Sequence, residues 1–379
     1  LSFDLTAYLD EARALVIDEI RRWIPADDRF RDVLYAPLLD YPLRPAKALR
    51  PALCIATCRA LGGRLESALP TAAALELFHN ALLVHDDVED ASSRRREGPT
   101  LHTTLGVSAA MNVGDAMLAL TLRPLLDNTR LLGLGPALRI LAEVADMSAR
   151  TAEGQALELA AIRGGDLGSA EGYLDLVHRK TTLYSFVTPM RAGAIAARVP
   201  PGDPALDQLT AVATPLGAAF QIQDDLLNLE GAPEAVGKEH AGDLWEGKRT
   251  LMLLRALQVA SPEDRERALQ ILRRPRPEAA PDAALAAQVR GALDGLPEAA
   301  RVRLAALVDP FPPVKTERDV AFLLDLLRRT DALPWARAIA AQQAAEAERA
   351  LHALEGALRP GPHAQLLQAL VAFVVERTR

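Results

Sequence analysis

The chain is poor in aromatic residues, with eight Phe, five Tyr and three Trp among 379 positions. Alternating runs of Val, Ile and Thr are equally scarce, whereas Ala and Leu recur throughout, so the pattern argues against a strand-rich fold and predicts an all-α protein. Cysteine is almost absent. Cys54 and Cys58 stand one helical turn apart with no further Cys or nearby His to complete a zinc site, which leaves them as buried thiols. An excess of positive charge is also lacking. The formal net charge of -7 excludes an electrostatic footprint for nucleic acid, so any basic groups that matter are local and aimed at a small anion. The longest apolar stretches are interrupted by Glu76, His79, Asn112 and Asp115, and the expectation is that no transmembrane segment is present. Residues 1–25 carry Asp4, Asp10, Glu11, Asp18 and Glu19 in an amphipathic pattern unlike a signal peptide, which predicts a cytoplasmic protein.

Half of the residues are hydrophobic, enough for a large core. Helical periodicity runs through residues 4–24, 46–61, 68–89, 105–127, 134–162, 170–198, 204–229 and 248–259. Breaks agree with it: Pro42 and Pro45 precede one helix, Gly62-Gly63 ends it, and Pro70-Thr71 opens the next. Residues 260–315 differ, because Arg273-Arg274-Pro275-Arg276-Pro277, Pro281 and Pro310-Phe311-Pro312-Pro313 punctuate short Ala-rich helices. The expected organisation is one domain over 1–379 with an insertion at about 260–315, the helical pattern returning at Val320.

Two acidic clusters stand out: Asp86-Asp87-Val88-Glu89-Asp90 and Asp224-Asp225-Leu226-Leu227-Asn228. On a helix, Asp86 and Asp90 share a face one turn apart and Asp87 lies about 100° round. Carboxylates so close call for a cation, and oxygen-only donors favour a hard ion such as Mg²⁺ completed by substrate phosphates. Metal ligands are therefore expected among Asp86, Asp87, Asp90, Asp224, Asp225 and Asn228, the amide being the weakest. Basic residues suited to a diphosphate are Lys47, Arg50, Arg95, Arg96, Lys180, Lys238 and Lys248.

Lys47-Ala48-Leu49-Arg50-Pro51, His79, the Asp86 cluster followed by Arg95-Arg96-Glu97-Gly98-Pro99-Thr100, Gly154-Gln155, Lys180-Thr181, Phe220-Gln221 before the second cluster, and Gly237-Lys238 with Asp243 to Lys248 occur in one order and spacing. In these motifs the sequence resembles the trans-isoprenyl diphosphate synthases of the polyprenyl synthetase family. The resemblance implies an isoprenoid synthase fold, a single large helical bundle around a deep central cavity, and a homodimer. It implies a Mg²⁺-dependent prenyltransferase, with three ions per site, that joins isopentenyl diphosphate to an allylic diphosphate. Asp86, Asp90 and Asp224 would then bind the metal, Arg95, Lys180 and Lys238 the allylic diphosphate, and Lys47, Arg50, His79 and Arg96 isopentenyl diphosphate. Thr181 and Gln221 would lie beside the reacting carbons, and Lys248 closes the second motif. Departures are Asn228 for an aspartate, Ser93 for an acidic residue, Glu158 for an aspartate and Met252 for a proline.

Product length is expected to depend on the wall below Asp86, formed by Phe78, Ala81 and Leu82. The resemblance implies that a small residue five places before the first aspartate, here Ala81, opens the tunnel beyond farnesyl length, and with Phe78 one turn deeper as the floor the expected product is geranylgeranyl diphosphate. A farnesyl or longer-chain synthase and a class I terpene cyclase of the same fold are the nearest alternatives, but a cyclase has no need for the Lys47, Arg50, His79 and Arg96 set. A metal phosphohydrolase built on His79, His85 and Asp86, and a non-catalytic partner subunit, are more distant ones.

Overall fold

A computed structural model describes residues 3–164, 168–230, 241–277, 281–293, 296–298, 300, 301, 304 and 313–376. The described residues are helical apart from one two-stranded hairpin. The chain divides into two compact units, one of Leu1–Ala156, Leu174–Asp224 and Ala338–Arg379, the other of Leu157–Tyr173 and Asp225–Arg337.

The first unit opens with α1 (Leu5–Trp23), whose first turn is capped by the Asp4 carboxylate accepting from the Ala7 amide at 3.0 Å. A helical stretch, Asp28–Phe30 and the wider turn Arg31–Tyr35, leads into α2 (Ala36–Leu43). Two helices then form the centre, α3 (Leu49–Ala60) and α4 (Leu65–Glu89). The hairpin β1 (Arg94–Arg95) and β2 (Gly98–Pro99) follows, then α5 (Val107–Leu132) and α6 (Leu134–Ile162). Next, α7 (Ala170–Val177) runs through wide turns over His178–Val187 into α8 (Thr188–Ala196), and α9 (Pro204–Glu230) ends in the second acidic cluster.

Helix α4 is the axis of this unit. Every residue from Ala72 to Ala81 is buried, and α1, α3, α5 and α8 all pack against it. A helix apolar on all sides is stable only when enclosed. Fully burying one of its leucines, such as Leu75 or Leu77, contributes about 1.5–3 kcal/mol. Some of its buried polar groups are paired: the Asn80 amide donates to the Glu76 carboxylate at 3.0 Å, and Asn128 of α5 donates to the Thr71 hydroxyl at 2.9 Å.

The second unit holds α10 (Gly242–Glu246), α11 (Leu251–Val259), α12 (Pro262–Leu272), α13 (Pro281–Leu293) and α14 (Glu317–Arg329). The residues expected as an insertion thus share a unit with those that follow the second acidic cluster. Helix α15 (Ala332–Leu354) and α16 (Pro362–Glu376) complete the chain.

Some expectations need correction. Helix α4 begins at Leu65, with Pro70 inside it rather than at its start, and Pro42 lies inside α2. Pro70 is the sixth residue of α4 and Pro42 the seventh of α2, so each lies beyond the first turn and leaves one carbonyl without its intrahelical amide partner. The stretch read as one helix over 105–127 is broken at Gly106, where φ is +85°, and α5 continues to Leu132. The expectation that no run reaches membrane-spanning length also fails. Helix α4 is long and apolar enough by length and composition, and 78% of its most apolar window is buried inside the protein. Cys54 and Cys58 are buried free thiols, as expected.

Candidate active site

Helix α4 carries Phe78, His79, Ala81, Leu82 and the first acidic cluster on consecutive turns. The carboxylates gather at its C-terminus, where the helix dipole is negative and acidic groups destabilise by a few tenths of a kcal/mol each. Stability alone does not explain that placement. The Asp87 carboxylate is 1% exposed and accepts from the Tyr41 hydroxyl at 2.6 Å and from Arg95 Nε at 3.0 Å and Nη2 at 2.5 Å. Asp86 is half-buried, Asp90 closes the helix, and Gln155 of α6 donates to Glu89. Burial foremost, then the nearby charges of Asp86 and Asp90, push the Glu89 carboxyl above its ordinary range, while Lys180 opposes that rise. Lys180 therefore lies within electrostatic reach of the cluster.

The hairpin after α4 places two adjacent arginines on opposite sides. Arg94 pairs with Pro99 and Arg95 with Gly98, and the two loop residues, Arg96 and Glu97, have φ of 47° and 66°. A two-residue hairpin loop needs that left-handed pair, which is strained in residues other than glycine. The Arg44 guanidinium holds the turn, donating to the Arg95 carbonyl at 2.7 Å and the Pro99 carbonyl at 2.8 Å. Arg95 thus reaches the acidic cluster and Arg96 approaches His79, with Arg96 Nη2 at 3.5 Å from His79 Nε2.

Around His79 the charges are positive. Arg50 donates to the Tyr184 hydroxyl at 3.1 Å and the Ser185 hydroxyl at 2.8 Å, and its guanidinium lies 4.5 Å from the centre of the Tyr184 ring, which also stacks on His79. Burial, then Arg50, Arg96 and Arg95, hold the His79 pKa well below its ordinary value, so the ring is uncharged at neutral pH. Burial likewise pulls the Arg96 guanidinium down to about 10. Among the described residues no carboxylate comes within ion-pair reach of Arg50, and its Nε is buried without a partner. Lys47 Nζ sits 4.8 Å from the centre of the Phe373 ring. The arrangement suits a small anion. It does not suit a phosphohydrolase metal, because cations surround His79, and His85 faces Asp115 at 3.5 Å instead.

Lys180 and Thr181 lie in the wide turns of His178–Val187. Two glycines let neighbouring helices close on that segment. A Cβ on Gly154 of α6 would fall 2.5 Å from the Lys180 amide nitrogen, and one on Gly217 of α9 would fall 2.5 Å from the Thr182 side chain. Gln221 and Asp224 follow one and two turns later on α9 and are half-buried. Phe78 meets the Tyr184 ring edge-on at 6.2 Å, Ala81 is fully buried and Leu82 is partly buried.

In the second unit, Asp225 is buried and accepts from the Tyr173 hydroxyl at 2.8 Å. Asn228 Oδ1 accepts the Asp243 amide at 3.1 Å, so this amide anchors the start of α10. Lys248 Nζ meets the Glu246 carboxylate at 2.5 Å, and Arg276 stands 3.8 Å from it. Lys315, 2% exposed, donates to the Trp245 carbonyl at 2.7 Å, and burial foremost draws its pKa down to about 8. Lys238 lies outside the described residues.

The donor set at the end of α4 fits a hard divalent cation: it consists of carboxylate oxygens on a rigid helix. Among the described residues no three His, Cys, Asp or Glu side chains form a ready cage. That accords with an ion that takes one or two carboxylates and completes its shell with phosphate and water. Sequence reasoning missed Tyr41, Tyr173, Tyr184, Arg44 and Lys315. Their rarity is the only sequence signal, since three of five tyrosines serve these clusters.

A family model described as polyprenyl synthetase matches residues 31–288. A short chain isoprenyl diphosphate synthase of Methanothermobacter thermautotrophicus is 32% identical over 266 residues, covering 68% of this chain and 80% of that protein. The crystal structure of a geranylgeranyl pyrophosphate synthetase from Pyrococcus horikoshii superposes with a TM-score of 0.77 at 26% identity, covering 98% of each chain. That of a geranylgeranyl pyrophosphate synthase from Corynebacterium glutamicum, complexed with isoprenyl diphosphate and magnesium, gives 0.76 at 25% identity over 99% of each chain.

Proposed function

The chain belongs to the polyprenyl synthetase family and is a trans-prenyltransferase, and from that premise we propose how its residues divide the work and which product they release. One observation carries the reading: consecutive arginines join an acidic helix end to a nest of cations around an uncharged histidine. His79 and Asp86 are two turns apart on one face of α4, about 10 Å along its axis. An enzyme that ionises one diphosphate while holding a second needs these two regions side by side.

In this reading Lys47, Arg50, His79 and Arg96 hold the diphosphate of isopentenyl diphosphate. His79 contributes a hydrogen bond without adding charge. Asp86, Asp90 and Asp224 hold Mg²⁺, three ions being the proposed number, which when bound neutralises the departing pyrophosphate. Lys180 lies against the same group, and Thr181 and Gln221 flank the reacting carbons. The buried walls around Phe78 and Ala81 keep water from the allylic cation, which the double bond of isopentenyl diphosphate attacks head-to-tail. Asp87 and Arg95 neutralise each other and fix the helix end that presents Asp86. In the second unit, Asp225 holds Tyr173, Asn228 holds the start of α10 and Lys248 pairs with Glu246, alongside the ligand roles expected of them.

The product is geranylgeranyl diphosphate, with Ala81 leaving room and Phe78, braced by Tyr184, as the floor. The functional protein is a homodimer of one-domain protomers. Val107, Leu122 and Leu126 of α5 and Leu134 and Leu138 of α6 are each more than half exposed, an apolar surface that a second copy would cover.

Incubating the protein with labelled isopentenyl diphosphate and dimethylallyl, geranyl or farnesyl diphosphate tests this. Chains stopping at farnesyl would remove the open wall at Ala81, and a longer ladder would remove the Phe78 floor. Arg50→Ala should raise the KM for isopentenyl diphosphate. Unchanged turnover with release of a hydrocarbon would make the protein a cyclase instead.

A further inference from the structure

A second cavity, of about 380 Å³, lies in the first unit at the opposite end of α4. Its wall includes Leu65 and Glu66, the first two residues of that helix. Asp86 follows Glu66 by twenty residues, about 30 Å along the axis, so the cavity is separate from the acidic cluster. The volume is in the range of small-molecule sites, roughly 300–1,000 Å³. Ala12 and Leu15 of α1, Ile55 of α3 and Leu65 form its apolar part.

Its polar part is an ordered chain of donors. Arg59 Nε lies 3.4 Å from His363 Nε2, and His363 Nδ1 lies 2.8 Å from the Tyr8 hydroxyl. A guanidinium can only donate, so His363 Nε2 accepts and its proton resides on Nδ1. Nδ1 then donates to the Tyr8 oxygen, and the Tyr8 proton is left to be donated onward. Burial and the Arg59 charge keep His363 uncharged, consistent with this tautomer. Arg59 also donates Nη1 to the Gly63 carbonyl at 3.0 Å, and among the described residues no carboxylate lies within ion-pair reach of it. Arg64 is different, since Glu66 meets it at 3.4 Å.

We propose that this cavity binds an anionic amphiphile, a small molecule whose carboxylate or phosphate head accepts from Arg59 and Tyr8 while a short aliphatic body lies on Ala12, Leu15, Ile55 and Leu65. The chemistry selects the class. A guanidinium without a carboxylate partner and an outward hydroxyl proton both seek an acceptor, Arg64 and Glu66 at the rim pair with each other, and Ala12, Leu15, Ile55 and Leu65 offer apolar contact. Glu11 also lines the cavity and opposes an anion, but it is exposed to water, which screens its charge.

Calorimetric titration of the full chain with octanoate, octyl phosphate and octanol tests this, with Mg²⁺ and inorganic pyrophosphate present to occupy the catalytic site. One saturable site per chain is expected for at least one of the two anions, and the tighter of the pair identifies the head group. Arg59→Met should weaken binding about tenfold or more, the worth of one charge-assisted hydrogen bond. Leu15→Trp, which fills the cavity, should abolish binding, and Glu11→Gln should strengthen it. Circular dichroism and prenyl transfer rates verify that each variant folds. The proposal fails if neither anion saturates with or without pyrophosphate, if octanol binds as well as the anions, if a folded Leu15→Trp protein binds like the wild type, or if an anion that saturates without Mg²⁺ and pyrophosphate no longer does so in their presence. Only the last outcome would implicate the catalytic site, so failure here leaves the proposed prenyl transfer standing.

Discussion

The two acidic clusters look like copies in sequence, and each buries the second aspartate of its pair under a tyrosine hydroxyl, Tyr41 over Asp87 and Tyr173 over Asp225. Beyond that they part. Asp87 also receives the fork of Arg95, so its charge is neutralised inside the protein. One turn further, the first cluster offers Asp90, while the second has Asn228, whose oxygen accepts the Asp243 amide. The lesson is a division within each pair: the first aspartate stays half-buried, which is what the proposed metal role requires, and the second is buried under a tyrosine hydroxyl.

The strongest test removes the ionic anchor. Asp87→Ala strands Arg95 in a buried site, 9% exposed, and should lower the unfolding free energy by about 3–5 kcal/mol in urea melts. Asp225→Ala strips the Tyr173 hydroxyl of its acceptor and should cost about 1–3 kcal/mol, and an unchanged melt would show that this hydrogen bond does not stabilise the helix end. Activity divides the residues differently. Asp86→Ala and Asp224→Ala should each lower kcat by about 10²–10³ with little change in melting temperature, as loss of preorganised charge stabilisation does. Asn228→Ala should fall well short of that, and an equal loss would show that the amide is a principal ligand. Tyr41→Phe and Tyr173→Phe each remove one hydrogen bond to a buried carboxylate, about 1–3 kcal/mol by the same melts.

The smallest effect separates the regions by pH. Arg95 stays charged throughout the accessible range, but Lys315 in the second unit has its pKa depressed by burial from 10.5 to about 8. Between those values the unfolded chain holds a proton that the folded protein sheds, so this residue makes stability rise as pH increases. The rise is on the order of 1 kcal/mol between pH 8 and 9. Lys315→Met should flatten that slope, and an unchanged slope would assign it to other groups.

The periodic apolar pattern located nearly every long helix within a few residues, because 3.6-residue spacing is a local property. It failed where local signals mislead. Residues 28–43 were obscured by Pro37 and Pro42, although both are compatible with the helical turns found there. The hairpin has only two residues per strand and turns on Arg96 and Glu97 instead of glycine. The candidate site was legible as a set of residues, since Arg50, His79, Arg96 and the acidic clusters are set out by motif spacing. Their supports were not. Tyr41 meets Asp87 across 46 residues, Tyr184 meets Arg50 across 134 and Lys315 meets Trp245 across 70.

By itself, then, the amino-acid order determined the helical class, the family and the charged groups able to handle a diphosphate, because each is written in residue type and near-neighbour spacing. Only the tertiary structure decided which aspartate of each pair is buried under a tyrosine, that Arg95 forks onto Asp87 while Arg96 approaches His79, and that Tyr8, Arg59 and His363 form a donor chain far from the acidic helix end. Those outcomes depend on burial and on directions between distant segments, and both come into being only when the helices pack.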